Sequence, residues 1–236
     1  MSNHQIAYRD TFDYRLPPHL PVILQLQGKG FKGLTAHLQK PFSPDLYELL
    51  GKAMHIYIPE IQGAVAGYLQ TDEITFILRN DQSPDSEPWY NNRIQDIVSS
   101  TASQFTNIVN QVYQEEYTHL KLPQLMSFSC RAWTVPTLDK ASELLTLRQW
   151  FTYHWAVDRV LAQQLQQAGE FSYAAIGKST LNEKKKILKE RFGIDMEARY
   201  PSVFYRGIGV YRTLKWYLDQ ELPSFVEDPT FLLGED

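Results

Sequence analysis

Two short stretches of the sequence carry residue types suited to the chemistry of phosphates and metal ions. The first is QLQGKGFKG (residues 25–33), which places three glycines and two lysines directly after a predicted strand. The second is the acidic pair Asp72 and Glu73, at the predicted turn of a hairpin. Glycines leave backbone N–H groups free to face an anion, and Mg²⁺ prefers carboxylate and phosphate oxygens as ligands. Together the two stretches predict a site for a nucleoside triphosphate and Mg²⁺.

The elements predicted around these stretches would bring them together. Hydrophobic periodicity predicts four strands and two helices in the order β-α-β-β-α-β, over residues 21–27, 43–58, 64–70, 73–79, 92–115 and 127–133. This is the ferredoxin-like order, in which the end of the first strand lies beside the turn between the second and third strands. The predicted fold class is therefore α+β, a polymerase-type palm with a four-stranded antiparallel sheet.

A palm of this kind suits phosphoryl transfer. Carboxylates from the two places would hold two Mg²⁺ ions about 3.5–4 Å apart, which clamp the attacking and leaving oxygens. Lys29, Lys32 and Lys40 would neutralise the charge of a triphosphate. Each feature is weak on its own, because an acidic hairpin tip is usually a solvated turn and a Gly-x-Gly turn is common. Only the combination of spacing and topology favours a functional site.

The second half of the sequence is predicted to be mainly helical. A long helix covers residues 138–165, a capping box at Thr180 begins another helix, and a late strand covers residues 207–213. We therefore expect a palm-like catalytic and nucleotide-binding region over residues 1–136 and a mainly helical region over residues 137–236, packed on the palm. The basic run KSTLNEKKKILKER (residues 178–191) is interpreted as a solvated helix face, and His154 as a hydrogen-bonded core histidine.

The composition narrows the class of protein. The chain has 236 residues, a net charge of −4 and one cysteine, Cys130. An overall basic surface, a disulfide framework and a cysteine-based zinc site are therefore excluded. No apolar run approaches the roughly 18 residues that a membrane span needs, and the N-terminal sequence has no apolar signal core. We expect a cytoplasmic protein that does not enter a membrane.

Several further blocks extend the pattern along the chain: LPPHLPVILQLQGKGFKGLT, QKPFSPDLYELLGKAM, IQGAVAGYLQTDEITFIL, SFSCRAWTVPT and YRGIGVYR. In this order they resemble the histidine-tRNA guanylyltransferase family, and in particular its shorter bacterial-type members, from about Tyr8 to Arg212. The resemblance implies a Mg²⁺-dependent nucleotidyltransferase that adds nucleotides to the 5′ end of tRNA or another RNA, in the 3′-to-5′ direction. It also implies GTP or ATP as the nucleoside triphosphate and a homo-tetrameric assembly.

The resemblance also implies roles for individual residues. Asp72 and Glu73 match the family's catalytic acids. The implied metal ligands are Asp72, Glu73, the backbone carbonyl of Gly28 and the side chain at Gln27. The implied nucleotide-binding residues are Gly28, Lys29, Gly30, Phe31, Lys40, Thr71, Arg93 and Arg131.

Five positions depart from the family pattern. Gln27 stands where the family has the aspartate that binds both metal ions, Leu147 stands where it has a tryptophan, and Ser129, Phe151 and Trp155 replace other polar or acidic residues. An amide supplies one neutral carbonyl and a donor group that repels a cation. The loss of a unit charge beside Mg²⁺ costs several kcal/mol at a moderate dielectric, and about 1.4 kcal/mol corresponds to a tenfold change in rate.

Three interpretations therefore stay open. The chain is an active transferase, in which the amide impairs catalysis or Asp10 or Asp13 compensates for it. Alternatively, it is an inactive nucleotide- or RNA-binding protein, or a regulatory subunit of an active partner. A third interpretation, another phosphoryl chemistry such as nucleotide cyclisation, rests on analogy of fold alone.

Overall fold

A computed structural model describes residues 11, 13–80, 87–170 and 173–234 of the chain. In this part of the chain a six-stranded antiparallel sheet has the strand order β4-β1-β3-β2-β5-β6. The strands are β1 (Val22–Gly28), β2 (Ala64–Gln70), β3 (Glu73–Leu78), β4 (Phe128–Thr134), β5 (Ile208–Arg212) and β6 (Trp216–Asp219).

The helices lie between and after these strands. They are α1 (Phe31–Leu34), α2 (Pro44–Tyr57), α3 (Ile94–Glu116), α4 (Leu138–Gln167), α5 (Tyr173–Lys178), α6 (Leu181–Phe192), α7 (Met196–Arg199) and α8 (Val203–Arg206). Short 3₁₀ turns cover Ile58–Glu60, Trp89–Asn92 and Thr118–Leu120. Among the residues described, no helix has both the length and the hydrophobicity that crossing a membrane requires.

The sheet buries both of its faces because alternate side chains of a strand point to opposite sides. One face carries Leu24, Leu26 and Phe76, which join the core formed with α2 and α3. The other face carries Ile23 and Ile77, which pack beneath the first turns of α4 in a second core. Helix α4 begins at the Thr137 N-cap, whose side chain accepts a hydrogen bond from the Lys140 N–H group. From there α4 crosses the sheet toward the hairpin between β2 and β3.

The predicted α+β palm is confirmed, and the first four strands have the ferredoxin-like order β4-β1-β3-β2. The sheet is wider than the predicted four strands, because β5 and β6 extend it beyond β2. The predicted late strand is therefore part of the palm sheet itself. Strand β6 was not predicted from the sequence, since its four residues give too short a pattern.

The basic run on α6 is balanced by acids, as expected for a solvated helix face. Its lysines and arginine pair with acids on α4, α6, α7 and neighbouring loops: Lys184 with Asp158, Lys185 with Glu197, Lys186 with Glu190, Lys189 with Asp195 and Arg191 with Glu170. The capping box at Thr180 is present, and α6 ends at Gly193. We infer no nucleic-acid surface from this helix.

Candidate functional site

The glycine-rich loop and the hairpin acids meet at one end of the sheet. The Gly28 N–H group donates to the Asp72 carbonyl at 2.9 Å, and the Lys29 N–H group donates to the Ser127 carbonyl at 2.8 Å. These two bonds fix the end of β1 between the hairpin turn and the residue before β4. They also occupy the first two amides of the loop, so these amides do not face an anion. The amides of Gly30, Phe31 and Lys32 make no hydrogen bond to any described residue.

Gly28 is required by packing against Phe31. A Cβ atom at Gly28 would lie 2.2 Å from the ring of Phe31, which is buried and packs edge-on against Phe128 at 5.4 Å between ring centroids. Gly30 has a φ of 66°, in the left-handed region that favours glycine. The glycine pattern therefore encodes the shape of the loop as well as access to its backbone.

A cavity of about 730 Å³ opens beside this loop. Its walls come from α1 and the segment after it, from the N-terminal turn of α2, from the hairpin turn and from the C-terminal half of α4. The lining includes Phe31, Lys32, Lys40, Tyr47, Thr71, Asp72, Trp155, Asp158, Arg159 and Gln163. Residues of α1, α2, α4 and α5 are thus arranged around one cavity, with the hairpin turn at its edge.

Asp72 lines this cavity. The Thr71 hydroxyl donates to Asp72 Oδ1 at 3.1 Å, and Thr71 itself has a φ of 51°. Burial raises the pKa of Asp72 above its ordinary value, against the opposing effects of the Thr71 hydrogen bond and the positive charge of Arg159. A half-buried carboxylate of this kind favours a cation or a cation-bound phosphate as its partner.

Glu73 is directed to a different neighbour, although it follows Asp72 directly. Its carboxylate forms a close ion pair with Arg148 of α4, and it accepts a hydrogen bond from Gln25 Nε2 at 2.6 Å. Both ions are largely buried, with 13% of the Arg148 side chain and 17% of the Glu73 side chain exposed. The structure therefore neutralises Glu73 within the protein, on the α4 face of the sheet.

Gln27 lies in the same row of the sheet as Glu73. It pairs with Glu73 on one side and with Ser129 on the other, and it is exposed. The acids near this row are already engaged, since Glu73 binds Arg148. Asp158, on the far wall of the cavity, pairs with Lys184 at 2.7 Å.

The residues present do not fit a pair of metal ions. Asp72 is the one carboxylate of the described cavity lining that has no basic partner within ion-pair distance. In the described part of the chain no group of three histidine, cysteine, aspartate or glutamate side chains could hold a metal ion. Mg²⁺ is usually held by one or two carboxylates together with phosphates and water. The donor set therefore suits at most one ion, with Asp72 as its protein ligand.

Lys40 and Arg159 supply positive charge to the cavity. Lys40 is exposed, its Nζ donates to the Thr35 carbonyl at 3.1 Å, and its own carbonyl accepts from Gln163 Nε2 at 3.1 Å. Burial, and then the positive charge of Arg159, lower the pKa of Lys40. Arg159 was missed by the sequence analysis. The sequence does contain a signal for it. Trp155 and Arg159 follow Arg148 by seven and eleven residues, and this helical spacing places all three on one face of α4.

The structure does not bring Arg93 to this cavity. Arg93 caps the start of α3, where it pairs with Asp13 at 2.7 Å and with Asp96 at 3.3 Å. This is the far end of β3 from the hairpin turn, because Asn80, just beyond β3, donates to Asn92 at 3.3 Å. Asp13 is held there, so it does not replace the carboxylate missing at position 27. Asp10 lies outside the described residues.

The other predicted positions lie around the cavity without joining its lining. Arg131 is exposed on β4 opposite Gln25, on the same face of the sheet as Gln27. Lys29 is exposed at the start of the loop. His154 is half-buried with its ring centroid 3.8 Å from that of Trp150, and its Nε2 has no hydrogen-bond partner among the described residues. The interpretation of His154 as a hydrogen-bonded core residue therefore fails at this atom.

Large apolar side chains are exposed along α4, and two of them, Phe151 and Trp155, stand where the family resemblance implied polar ones. Phe151 is 46% exposed and Trp155 is 50% exposed, and Leu147 and Trp150 have similar values. The Arg159 guanidinium lies 5.9 Å from the centroid of the Trp155 ring, in the range of a cation–π contact. Trp155 thus forms part of the cavity wall and positions the neighbouring cation.

A sequence model described as "Thg1: tRNAHis guanylyltransferase" matches residues 6–136, which is more than half of the chain. A relative named tRNA(His) guanylyltransferase 2 from Arabidopsis thaliana is 25% identical over 85% of this chain, which spans only 37% of that protein. A probable tRNA(His) guanylyltransferase from Homo sapiens is 22% identical over 92% of this chain and 72% of its own length.

Solved structures agree with this result. A bacterial tRNA(His) guanylyltransferase (Thg1)-like protein in complex with ATP has a TM-score of 0.87 and 25% identity, covering 98% of this chain and 96% of that one. A similar bacterial protein in complex with GTP has a TM-score of 0.76 and 23% identity, with 98% and 95% coverage. The tRNA(His) guanylyltransferase of Saccharomyces cerevisiae shares the fold with a TM-score of 0.76 at 18% identity, over 94% of this chain and 98% of that one.

Proposed function

Because the chain belongs to the tRNA(His) guanylyltransferase family, we propose that it binds a nucleoside triphosphate in the cavity beside Asp72 and adds nucleotides to the 5′ end of tRNA or another RNA. One observation carries the proposal. One cavity brings together the glycine loop, the half-buried carboxylate of Asp72 and three cations of its lining, which are Lys32, Lys40 and Arg159. The similarity to structures of bacterial relatives in complex with ATP and with GTP supports the same ligand class.

The residues of the cavity have distinct tasks in this proposal. The free amides of Gly30 and Phe31 and the side chain of Lys40 would hold phosphate oxygens, as backbone nests and lysines do in other phosphate sites. Asp72 would hold one divalent ion for the addition step, and such an ion would neutralise charge during phosphoryl transfer. The Glu73–Arg148 pair would keep the α4 face of the site rigid rather than bind a ligand.

Catalysis should be slow in this arrangement. The neutral amide of Gln27 provides no charge for a second ion, and Glu73 is already neutralised by Arg148. The addition reaction would then lack the second ion, which stabilises the charge of the transition state in the family. Electrostatic stabilisation of this kind is often the largest contribution to catalysis.

The experiment measures binding and addition separately. Purified chain is mixed with Mg²⁺ and labelled GTP or ATP, and with tRNA, 5′-triphosphate RNA or 5′-monophosphate RNA. We expect nucleotide binding in calorimetry and slow extension of the RNA 5′ end, which Asp72→Ala abolishes. Lys40→Ala should weaken nucleotide binding more than tenfold, in line with about 1.5–3 kcal/mol for a charge-assisted hydrogen bond.

Lys186→Ala is the matched control, because Lys186 is exposed on α6 and only loosely paired with Glu190, at 3.9 Å. It should change neither binding nor thermal stability. If the native chain binds neither GTP nor ATP in the presence of Mg²⁺, the proposed function is wrong.

A second candidate is an inactive nucleotide- or RNA-binding protein, or a regulatory subunit. The engagement of Glu73 by Arg148, together with Gln27, favours it. Tight nucleotide binding with no extension of any of the RNAs would support this candidate over the first.

The assembly is also proposed, from the family resemblance, to be a homo-tetramer. The exposed apolar side chains of Leu147, Trp150 and Phe151 on α4 support association, since such patches often mark protein interfaces. Sedimentation equilibrium at micromolar concentration measures the state directly, and a monomer would contradict the proposal.

A further inference from the structure

Arg159 lines the cavity beside Asp72, Lys40 and Tyr47. It projects from α4, it is exposed, and its guanidinium lies over the Trp155 ring. Its charge acts on groups from three other parts of the chain, since it influences the pKa values of Lys40, Tyr47 and Asp72. No hydrogen bond or ion pair joins its side chain to any described residue. Arg159 is therefore a cation that contacts Trp155 but pairs with no acid among the described residues.

Two of the cations in this lining repel one another. Lys40 donates its one hydrogen bond to a neutral carbonyl, that of Thr35, and the charge of Arg159 disfavours its protonated form. Lys32, also exposed, adds a third positive charge to the same lining. Asp72 is the one carboxylate available to offset them, because Asp158 is balanced by Lys184. A polyanion in the cavity would remove this repulsion.

The same residues explain how a triphosphate can bind here without metal ions. Gln27 contributes no charge, and the Arg148 guanidinium already compensates Glu73 on the adjoining face. The positive charge that metal ions bring to a triphosphate in two-ion sites is thus present here as side chains. An arginine fork is suited to this task, since its planar donors match two phosphate oxygens at once.

We propose that Arg159, with Lys40 and Lys32, holds the phosphates of the nucleotide, so that a nucleoside triphosphate binds this cavity without a divalent ion. This inference rests on the proposed function, because it assumes the same nucleotide site. It assigns to Arg159 a binding role that the family resemblance does not give it. The contact with Trp155 holds the guanidinium in the cavity wall and leaves its N–H groups available to the ligand.

Calorimetric titration of ATP and of GTP into the full chain tests this inference, with either Mg²⁺ or EDTA present. We expect dissociation constants in EDTA within about threefold of those in Mg²⁺. Arg159→Gln should weaken binding by about 10–100-fold in both conditions, as expected for loss of a charge-assisted contact. Arg159→Lys should recover part of the loss, since it keeps the charge but not the fork.

Arg212→Gln is the matched control, because Arg212 is exposed at the end of β5 and lies outside the cavity lining. It should bind nucleotide like the native chain, and all variants should unfold at the native temperature. Binding that disappears in EDTA, or that Arg159→Gln leaves unchanged, overturns the inference and leaves the proposed function intact. Absence of binding in both conditions overturns the proposed function as well.

Discussion

Restoring a carboxylate at position 27 tests how much the amide of Gln27 limits this site. In Gln27→Asp the new charge lies directly across the strand pair from Glu73. Like charges at such positions destabilise a sheet by about 0.2–1 kcal/mol. For a chain of this size about 1 kcal/mol corresponds to a change of about 2–4 °C in the unfolding temperature. Without metal, we therefore expect the unfolding temperature of the variant to be lower by up to about 4 °C. The nearby Arg148 guanidinium should make this decrease smaller, because its positive charge offsets the two carboxylates.

Added Mg²⁺ should reverse this fall. A ligand present at ten times its dissociation constant stabilises the native state by about 1.4 kcal/mol. The variant should thus gain several degrees in Mg²⁺ that the native chain does not gain. A carboxylate also restores several kcal/mol of electrostatic interaction with a bound dication at moderate dielectric. Discounted for the exposure of position 27, this predicts an increase in nucleotide addition of about 10–1,000-fold.

Thermal unfolding with and without Mg²⁺ and single-turnover addition of labelled nucleotide measure these effects. Gln27→Asn is the matched control, because it has the length of aspartate without its charge. If aspartate and asparagine behave alike in both assays, the missing charge is not the defect. The differences at Ser129, Phe151 and Trp155 would then account for any loss of activity.

Three further predictions concern the loop, the cavity and the ion pair. Gly28→Ala should lower the stability by about 1–3 kcal/mol because its Cβ meets an aromatic ring at 2.2 Å, whereas Gly33→Ala, with open space around it, should be neutral or stabilising in denaturant unfolding. Asp72→Asn should abolish nucleotide addition yet raise the unfolding temperature. The pKa of Asp72 in the folded chain is raised above its ordinary 3.8, so the native chain loses stability as the pH rises from 3.8 through the folded pKa. The stability advantage of asparagine should therefore grow over that pH range, which thermal unfolding at a series of pH values measures. Arg148→Met should cost about 2–3 kcal/mol, less than the 3–5 kcal/mol of a fully buried pair, and a second change, Glu73→Gln, should recover most of it in a double-mutant cycle.

Strand register and the meeting of loop and hairpin follow from local patterns in the sequence. The alternation of Leu24 and Leu26 with polar residues fixes which face of β1 joins the core formed with α2 and α3, and a two-residue turn forces β2 and β3 into a hairpin. Once that order is known, Asp72 must lie beside the end of β1. The palm and the meeting of the glycine-rich loop with the hairpin turn were therefore predictable before any tertiary contact was known.

The direction and partners of individual side chains were not predictable in this way. The partner of Glu73 is Arg148, on a helix far along the chain, so the neutralised state of this acid depends on how α4 crosses the sheet. The same crossing brings Arg159 into the cavity. Arg93 lies on a long helix whose start faces the opposite end of the sheet, and the resemblance gave no information on that direction. The hydrogen bond from the Gly28 amide to the Asp72 carbonyl likewise depends on how closely the glycine-rich loop approaches the hairpin turn.

The pairing of β2 with β5 has a consequence for how the chain folds as it is synthesised. Ala66 pairs with Tyr211, about 145 positions further along the chain. Until β5 leaves the ribosome, β2 is therefore an open edge strand, able to pair with other chains. Contacts of such long sequence separation slow folding. Residues 6–136, although they contain the family's matched region and all four ferredoxin-like strands, should stay aggregation-prone as a nascent fragment, and chaperone binding during translation should centre on β2.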